Sequence, residues 1–267
     1  MRISTIAFSV LMLAASATPA FADDAAPTAP PPPVTINGTV AVVSDYRFRG
    51  VSQTDKQFAI QGGLTVTHES GFYLSAWGSS TSGYVVAAAN AKQEIDLIGG
   101  YSHTFKGGLK VDGGVLYYFY PRDPSPGVSS DFFEPYFDVS KTFGPVSAKA
   151  TINYAPAQKA LKLDQSTGPS HDNVYLAGDF SVAIPKTPLG LTAHIGHTFG
   201  PSWLASDSVG DTGYTDWGLG ATATYKMLTL GVSYVDTDAK FFYTPPGTTK
   251  TTNLAGSGVV VSLTASF

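Results

Sequence analysis

Ser257-Gly258-Val259-Val260-Val261-Ser262-Leu263-Thr264-Ala265-Ser266-Phe267 ends the chain, and its reading decides the fold. Val259, Val261, Leu263, Ala265 and Phe267 share one parity and suit lipid. Val260, Ser262, Thr264 and Ser266 share the other and mostly suit water. This alternation is the period of a strand with two unlike faces. A strand that is apolar outside, polar inside and finished on an aromatic residue is what a membrane-spanning barrel asks of its last strand.

The opposite end agrees with export. Met1-Arg2 supplies a positive start, Ile6 to Ala17 an apolar core, and Ala20-Phe21-Ala22 the small-x-small pattern that a signal peptidase cuts. The expected organisation is a signal peptide over 1–22, an Ala/Pro-rich linker over 23–33 closed by Pro30 to Pro33, and a barrel over 34–267. The expected route is general secretion to the outer membrane of a Gram-negative bacterium.

Composition narrows the classes further. The chain has no cysteine, which excludes disulfides and thiol-based catalytic or zinc sites. Beyond the leader no run approaches the roughly 18 apolar residues that a membrane helix needs. There are 14 Tyr, 16 Phe and 28 Gly but only 13% charged residues, the make-up of strands punctuated by aromatics and glycine. Removing Arg2 with the leader leaves 15 basic against 20 acidic residues, a net charge of −5, which gives nucleic acid nothing to bind. No Walker loop or dinucleotide-binding glycine fingerprint occurs, and no cofactor is expected.

From Val34 the chain divides into twelve alternating segments, near residues 34–48, 57–68, 71–80, 92–104, 108–120, 131–143, 145–155, 172–184, 189–199, 213–225, 227–237 and 257–267. Their connections alternate between tight (Glu69-Ser70, Phe105 to Gly107, Gly144, Pro185 to Pro188, Lys226) and long. Short turns on one side and long loops on the other describe an all-β, antiparallel up-and-down transmembrane β-barrel of about twelve strands, with its short turns in the periplasm. A soluble sandwich offers similar strands but no reason to segregate its loops. Parity supports the barrel: Ile95, Leu97 and Tyr101 oppose Glu94, Asp96 and Ser102, and Val146, Ala148, Ala150, Ile152 and Tyr154 oppose Ser147, Lys149, Thr151 and Asn153. Lys141 and Asp236 fall on the lipid parity, near strand ends where the cost of a charge fades. Phe72, Phe105, Phe143, Tyr225 and Phe267 are expected in a periplasmic aromatic girdle, and Phe48, Phe119, Phe133, Phe199, Trp217 and Tyr234 in an outer one.

Ser44-Asp45-Tyr46-Arg47-Phe48-Arg49-Gly50-Val51-Ser52-Gln53 is the most distinctive local motif. Together with Gly71-Phe72-Tyr73 and Trp77, Glu94-Ile95-Asp96, Tyr117 to Pro121 and Glu134-Pro135-Tyr136, it resembles a proteobacterial family of outer-membrane proteins of unknown function, Gcw_chp, also named TorF-family porins. The resemblance spans roughly Val34 to Phe267. It implies a barrel and, through the porin name, transport.

Candidate pore-lining residues follow from parity: Asp45, Arg47, Arg49, Glu94, Asp96, Lys110, Asp112, Tyr118, Tyr120, Glu134, Asp138, Lys149, Asp179 and Asp216. Eight acids against four bases suggest a mild preference for cations or polar neutral solutes. The plainer role for each charge is a hydrated salt-bridge ladder stiffening the wall. Tyr73, Trp77 and Tyr175 also point inward and narrow a lumen that twelve strands already keep small. The expected function is a porin-like channel for small polar solutes or ions. Its expected partners are outer-membrane lipid and lipopolysaccharide, those solutes, and the barrel assembly machinery through Phe267. A plugged barrel acting as a surface receptor or structural protein is the alternative, with a barrel hydrolase behind it. Of the five His, only His171 and His194 sit where catalysis could use them, and neither lies beside a Ser or Asp in a recognisable motif. Asp207 with Asp211, or Asp236 with Asp238, lacks the ligand spacing of a calcium loop, so no metal is assigned. Gly62-Gly63, Gly99-Gly100 and Gly113-Gly114 are read as bends or close approaches within strands.

Overall fold

The computed structural model describes residues 32–82, 91–121, 129–162, 168–202, 204–205, 212–244 and 248–267. The leader, nearly all of the linker, and Asp207 and Asp211 lie outside them. Twelve strands form the wall: β1 (Val34–Val43), β4 (Ala59–His68), β5 (Phe72–Ser80), β6 (Gln93–Thr104), β7 (Lys110–Phe119), β8 (Phe132–Phe143), β9 (Val146–Ala155), β10 (Asn173–Ala183), β11 (Leu189–Phe199), β12 (Tyr214–Tyr225), β13 (Leu228–Thr237) and β16 (Gly258–Ser266). Four two-residue strands lie in the loops: β2 (Arg47–Phe48) with β3 (Val51–Ser52), and β14 (Phe242–Tyr243) with β15 (Thr252–Asn253).

Each wall strand pairs antiparallel with its neighbour in sequence, and β1 closes the barrel by pairing with both β4 and β16. Closure leaves no exposed sheet edge, which the bilayer requires because lipid cannot satisfy backbone groups. The final residue completes the seam. Gly38 N donates to Phe267 O at 2.8 Å, and Phe267 N donates to Gly38 O at 3.0 Å. The Phe267 ring lies over Gly38 in the space a Cβ would fill, so this position needs glycine.

The expected connections are present. Five are tight turns, and Gly144 and Lys226 take left-handed backbone in them, with φ of 61° and 53°. The outer face is an apolar belt that includes Ile60, Leu74, Leu97, Leu219, Leu230 and Leu263, all exposed. So large a continuous apolar surface belongs in hydrocarbon rather than water. Among the described residues no helix is long and apolar enough to cross a membrane. Phe72, Phe143, Tyr225 and Phe267 stand exposed at the short-turn end, and Phe119, Phe133, Phe199 and Tyr234 at the other. Lys141, on the lipid parity, lies with its ammonium 5.0 Å from the Phe143 ring.

Candidate functional site

The first segment was expected to run as one strand to Phe48. Instead β1 stops at Val43, and residues 44–58 turn into the barrel as a loop that carries the β2–β3 hairpin. The cause is local. Arg49 and Gly50 link paired Phe48 and Val51 with φ of 47° and 80°, two consecutive left-handed residues that make a two-residue hairpin turn. Asp45, Arg47 and Arg49 therefore belong to an inserted loop and not to the wall. Phe48 leaves the outer girdle as well, packing edge-on against Tyr118 with ring centroids 5.9 Å apart.

The loop is braced by its own charges. Buried Asp45 accepts from Arg47 Nε at 2.6 Å, Ser52 Oγ at 2.6 Å and Thr54 Oγ1 at 3.2 Å. Arg47 Nη1 donates to the carbonyls of Gly50 at 2.9 Å and Gly256 at 2.8 Å, and Ser52 N donates to Leu254 O at 2.9 Å. The last long loop thus caps the first, through an apolar cluster of Val51, Tyr214, Ala239, Leu254 and Ala255. Asp45 and Arg47 are used up in this brace.

Arg49 does something different: it reaches the wall. Its guanidinium donates from Nη2 to Glu134 Oε1 at 2.7 Å and from Nη1 to Asn173 Oδ1 at 2.9 Å. It also lies 4.2 Å from the Tyr175 ring and 4.9 Å from the Phe48 ring. Arg49 is 1% exposed and Glu134 0%, so this is a fully buried ion pair with aromatic faces around the cation. The second Glu134 oxygen accepts from Tyr118 Oη at 3.2 Å and Asn153 Nδ2 at 3.1 Å.

Beside this pair sit two further acids. Glu94 Oε1 accepts from Tyr46 Oη at 2.8 Å, and Tyr120 bonds the same carboxylate. Burial, with the nearby Glu94 and Asp96 carboxylates, pushes the loop phenol of Tyr46 well above its ordinary range. Asp96 is 0% exposed, and neither of its carboxylate oxygens has a hydrogen-bond partner among the described residues.

A third node joins β9, β10, β11 and β12. His194 Nδ1 lies 2.7 Å from Asp179 Oδ1, and its Nε2 lies 3.0 Å from Asp216 Oδ1. Tyr175 Oη donates to Asp216 Oδ2 at 3.0 Å, and Lys149 Nζ reaches Asp179 at 2.9 Å. In the sequence His194 has inward parity and stands beside no Ser or Asp in a recognisable motif. The fold supplies two acids from the flanking strands: Asp179, the register partner of His194 across the β10–β11 hairpin, and Asp216 on β12. Lower in the lumen, Lys110 Nζ lies 3.4 Å from Asp112, which also accepts from Tyr73 Oη at 2.7 Å. Tyr73 Oη and Tyr136 Oη bond each other. Asp138, facing Asp112 across the β7–β8 pair, is buried.

The in-strand glycines explain where these tyrosines sit. The Tyr73 ring lies over Gly100, the Tyr136 hydroxyl over Gly114 and the Tyr175 hydroxyl over Gly196, each in the space a Cβ would take. Asn153, Asn173 and Tyr136 were absent from the expected set although parity pointed them inward. Their inward parity was a usable sign, but only the closed barrel shows whom they meet.

Solved structures share this architecture. The NanC porin matches with a TM-score of 0.56 at 12% identity, over 87% of this chain and 99% of that one. A membrane protein from a study of in-meso crystallization matches with a TM-score of 0.51 at 10% identity, over 86% and 83%. The KdgM porin matches with a TM-score of 0.49 at 10% identity, over 87% and 98%. At such identities the likeness is one of fold. No curated protein matches the sequence. Residues 26–267 do match the profile of a family described as bacterial proteins of unknown function, Gcw_chp, and the chain belongs to that family.

Proposed function

We propose that the protein is an outer-membrane channel for small polar solutes or ions, with a mild preference for cations and an extracellular entrance narrowed by loop 44–58. One observation carries this reading: an apolar outer belt encloses a polar lumen in which acids outnumber bases. Setting aside Asp45 and Arg47, which brace the loop, leaves Glu94, Asp96, Asp112, Glu134, Asp138, Asp179 and Asp216 against Arg49, Lys110 and Lys149. Rings of like charge set ion preference where a passage is tight. Phe267, closing the seam on Gly38, is the proposed contact for the assembly machinery. Chains lacking it should reach the outer membrane in reduced amount, and unchanged surface levels would remove that role.

A second reading is supported by the burial of Arg49, Glu94, Asp96 and Glu134, none more than 2% exposed. In that reading the lumen stays plugged and the protein acts through its extracellular loops. Planar-bilayer recordings under a salt gradient separate the two. Current steps with a reversal potential on the cation side support the channel, and a sealed membrane containing folded barrel supports the plug.

A further inference from the structure

We propose that Glu134, Asn173 and Tyr175 form a lumen subsite for guanidinium and alkylammonium solutes, which Arg49 fills as a tethered internal ligand. The proposal deepens the channel reading by naming a solute class, and it rests on that reading only for access to the site.

The first ground is where the contacts originate. Apart from the Phe48 ring, the groups that hold the guanidinium belong to the wall: Glu134 on β8, and Asn173 and Tyr175 on β10. A receptor therefore stands in the barrel independently of the loop that fills it. It offers a carboxylate, an amide oxygen and an aromatic face, the set that recognises a planar cation.

The second ground is that the receptor is held in place without Arg49. Glu134 is fixed by Tyr118 and Asn153. Asn173 Nδ2 donates to Thr198 Oγ1 at 2.9 Å and Phe199 O at 2.7 Å, which leaves its Oδ1 aimed at the cation. Tyr175 is bonded to Asp216 and seated over Gly196. Such preorganisation lowers the ordering cost of binding any ligand.

The third ground is that the cation is one side chain and not the fold of the hairpin. The hairpin is tied at its base by Asp45 and at its turn by the bond from Arg47 Nη1 to Gly50 O, so removing the Arg49 side chain empties the subsite while the hairpin stays braced.

The test uses the full mature barrel refolded in detergent, with methylguanidinium as probe and sodium chloride at equal ionic strength as control. Arg49→Ala should gain a saturable rise in unfolding midpoint with millimolar methylguanidinium. Wild type and the double variant Arg49→Ala, Glu134→Gln should not. A folded Arg49→Ala barrel that responds no more to methylguanidinium than to sodium chloride overturns the proposal, as does an equal response from the double variant. Should Arg49→Ala fail to refold, methylguanidinium should restore its refolding yield. A yield that stays at the sodium chloride level while the double variant refolds also overturns it. The binding readout needs no conduction, so a subsite that binds in a barrel that leaves bilayers sealed would refute the channel and keep the subsite.

Discussion

The long-loop half of the lumen is packed all round, whereas the short-turn half is packed on the side of β4 to β8, at Thr65, Tyr73, Asp112 and Asp138, and more open around β9 and β10. Arg49, Glu134, Asp96 and Asp216 are at most 1% exposed. Below them the side chains of Lys149 and Asp179 are 19% and 37% exposed, and partly exposed Ser140, Ser147, Ser181 and Ser262 line the wall. Wall side chains alone fill a barrel of about eight strands but fall short in a wider one. Among the described residues the deficit is made up from the long-loop end, by loop 44–58 under the cap of the last loop and by Ala160, Leu161 and Leu204 of other loops. The wall supplies mostly acids, and the inserted loop brings the cation that answers Glu134.

This difference predicts unequal costs for superficially similar substitutions. The largest belongs to Arg49→Ala, which strands buried Glu134 and should destabilise the barrel by about 3–5 kcal/mol. Replacing the pair together, as Arg49→Met with Glu134→Gln, should recover most of that. Unfolding in denaturant, followed by loss of heat-modifiable gel mobility, measures both. A single-variant loss below about 1 kcal/mol would show that the packed half is not held by this pair.

Gly196→Ala comes next. It places a methyl group where the Tyr175 hydroxyl sits, disturbing the bond to Asp216 and the face offered to Arg49, at a cost of about 1–3 kcal/mol. Serine in place of Tyr175 should remove the clash, and a Gly196→Ala effect that persists with it would place the strain elsewhere. Lys149→Ala should be the mildest. Its partner Asp179 is over a third exposed and keeps His194, so the loss should stay below about 1 kcal/mol and shrink with added salt. A larger loss would erase the contrast between the halves.

The wall was legible because a strand writes its two faces into every second residue. The alternation of Ile95 and Leu97 with Glu94 and Asp96 needed no knowledge of neighbours, and alternating loop lengths told the two ends of the barrel apart. The same period misled at residues 44–48, since a hairpin inside the lumen alternates just as a wall strand does. Only the left-handed turn at Arg49-Gly50 distinguishes them, and glycine there was a weak sign. The contacts of the site lay further out of reach. Arg49 meets Glu134 across 85 positions of sequence and Asn173 across 124. Parity gives the face of a residue but not its height or its angle around the barrel, and those decide which charges meet. His194 marks the boundary: Asp179 faces it across one tight hairpin, whereas Asp216 on β12 stands opposite Gly196 and meets it only diagonally.

Single-channel recording of the refolded mature protein in a planar bilayer, under a potassium chloride gradient, tests the central claim most directly. The proposed channel should give discrete steps of small conductance, because loop 44–58 fills the long-loop half, and a reversal potential displaced to the cation side. A bilayer that stays sealed around folded, heat-modifiable protein, or steps that reverse on the anion side, would contradict it.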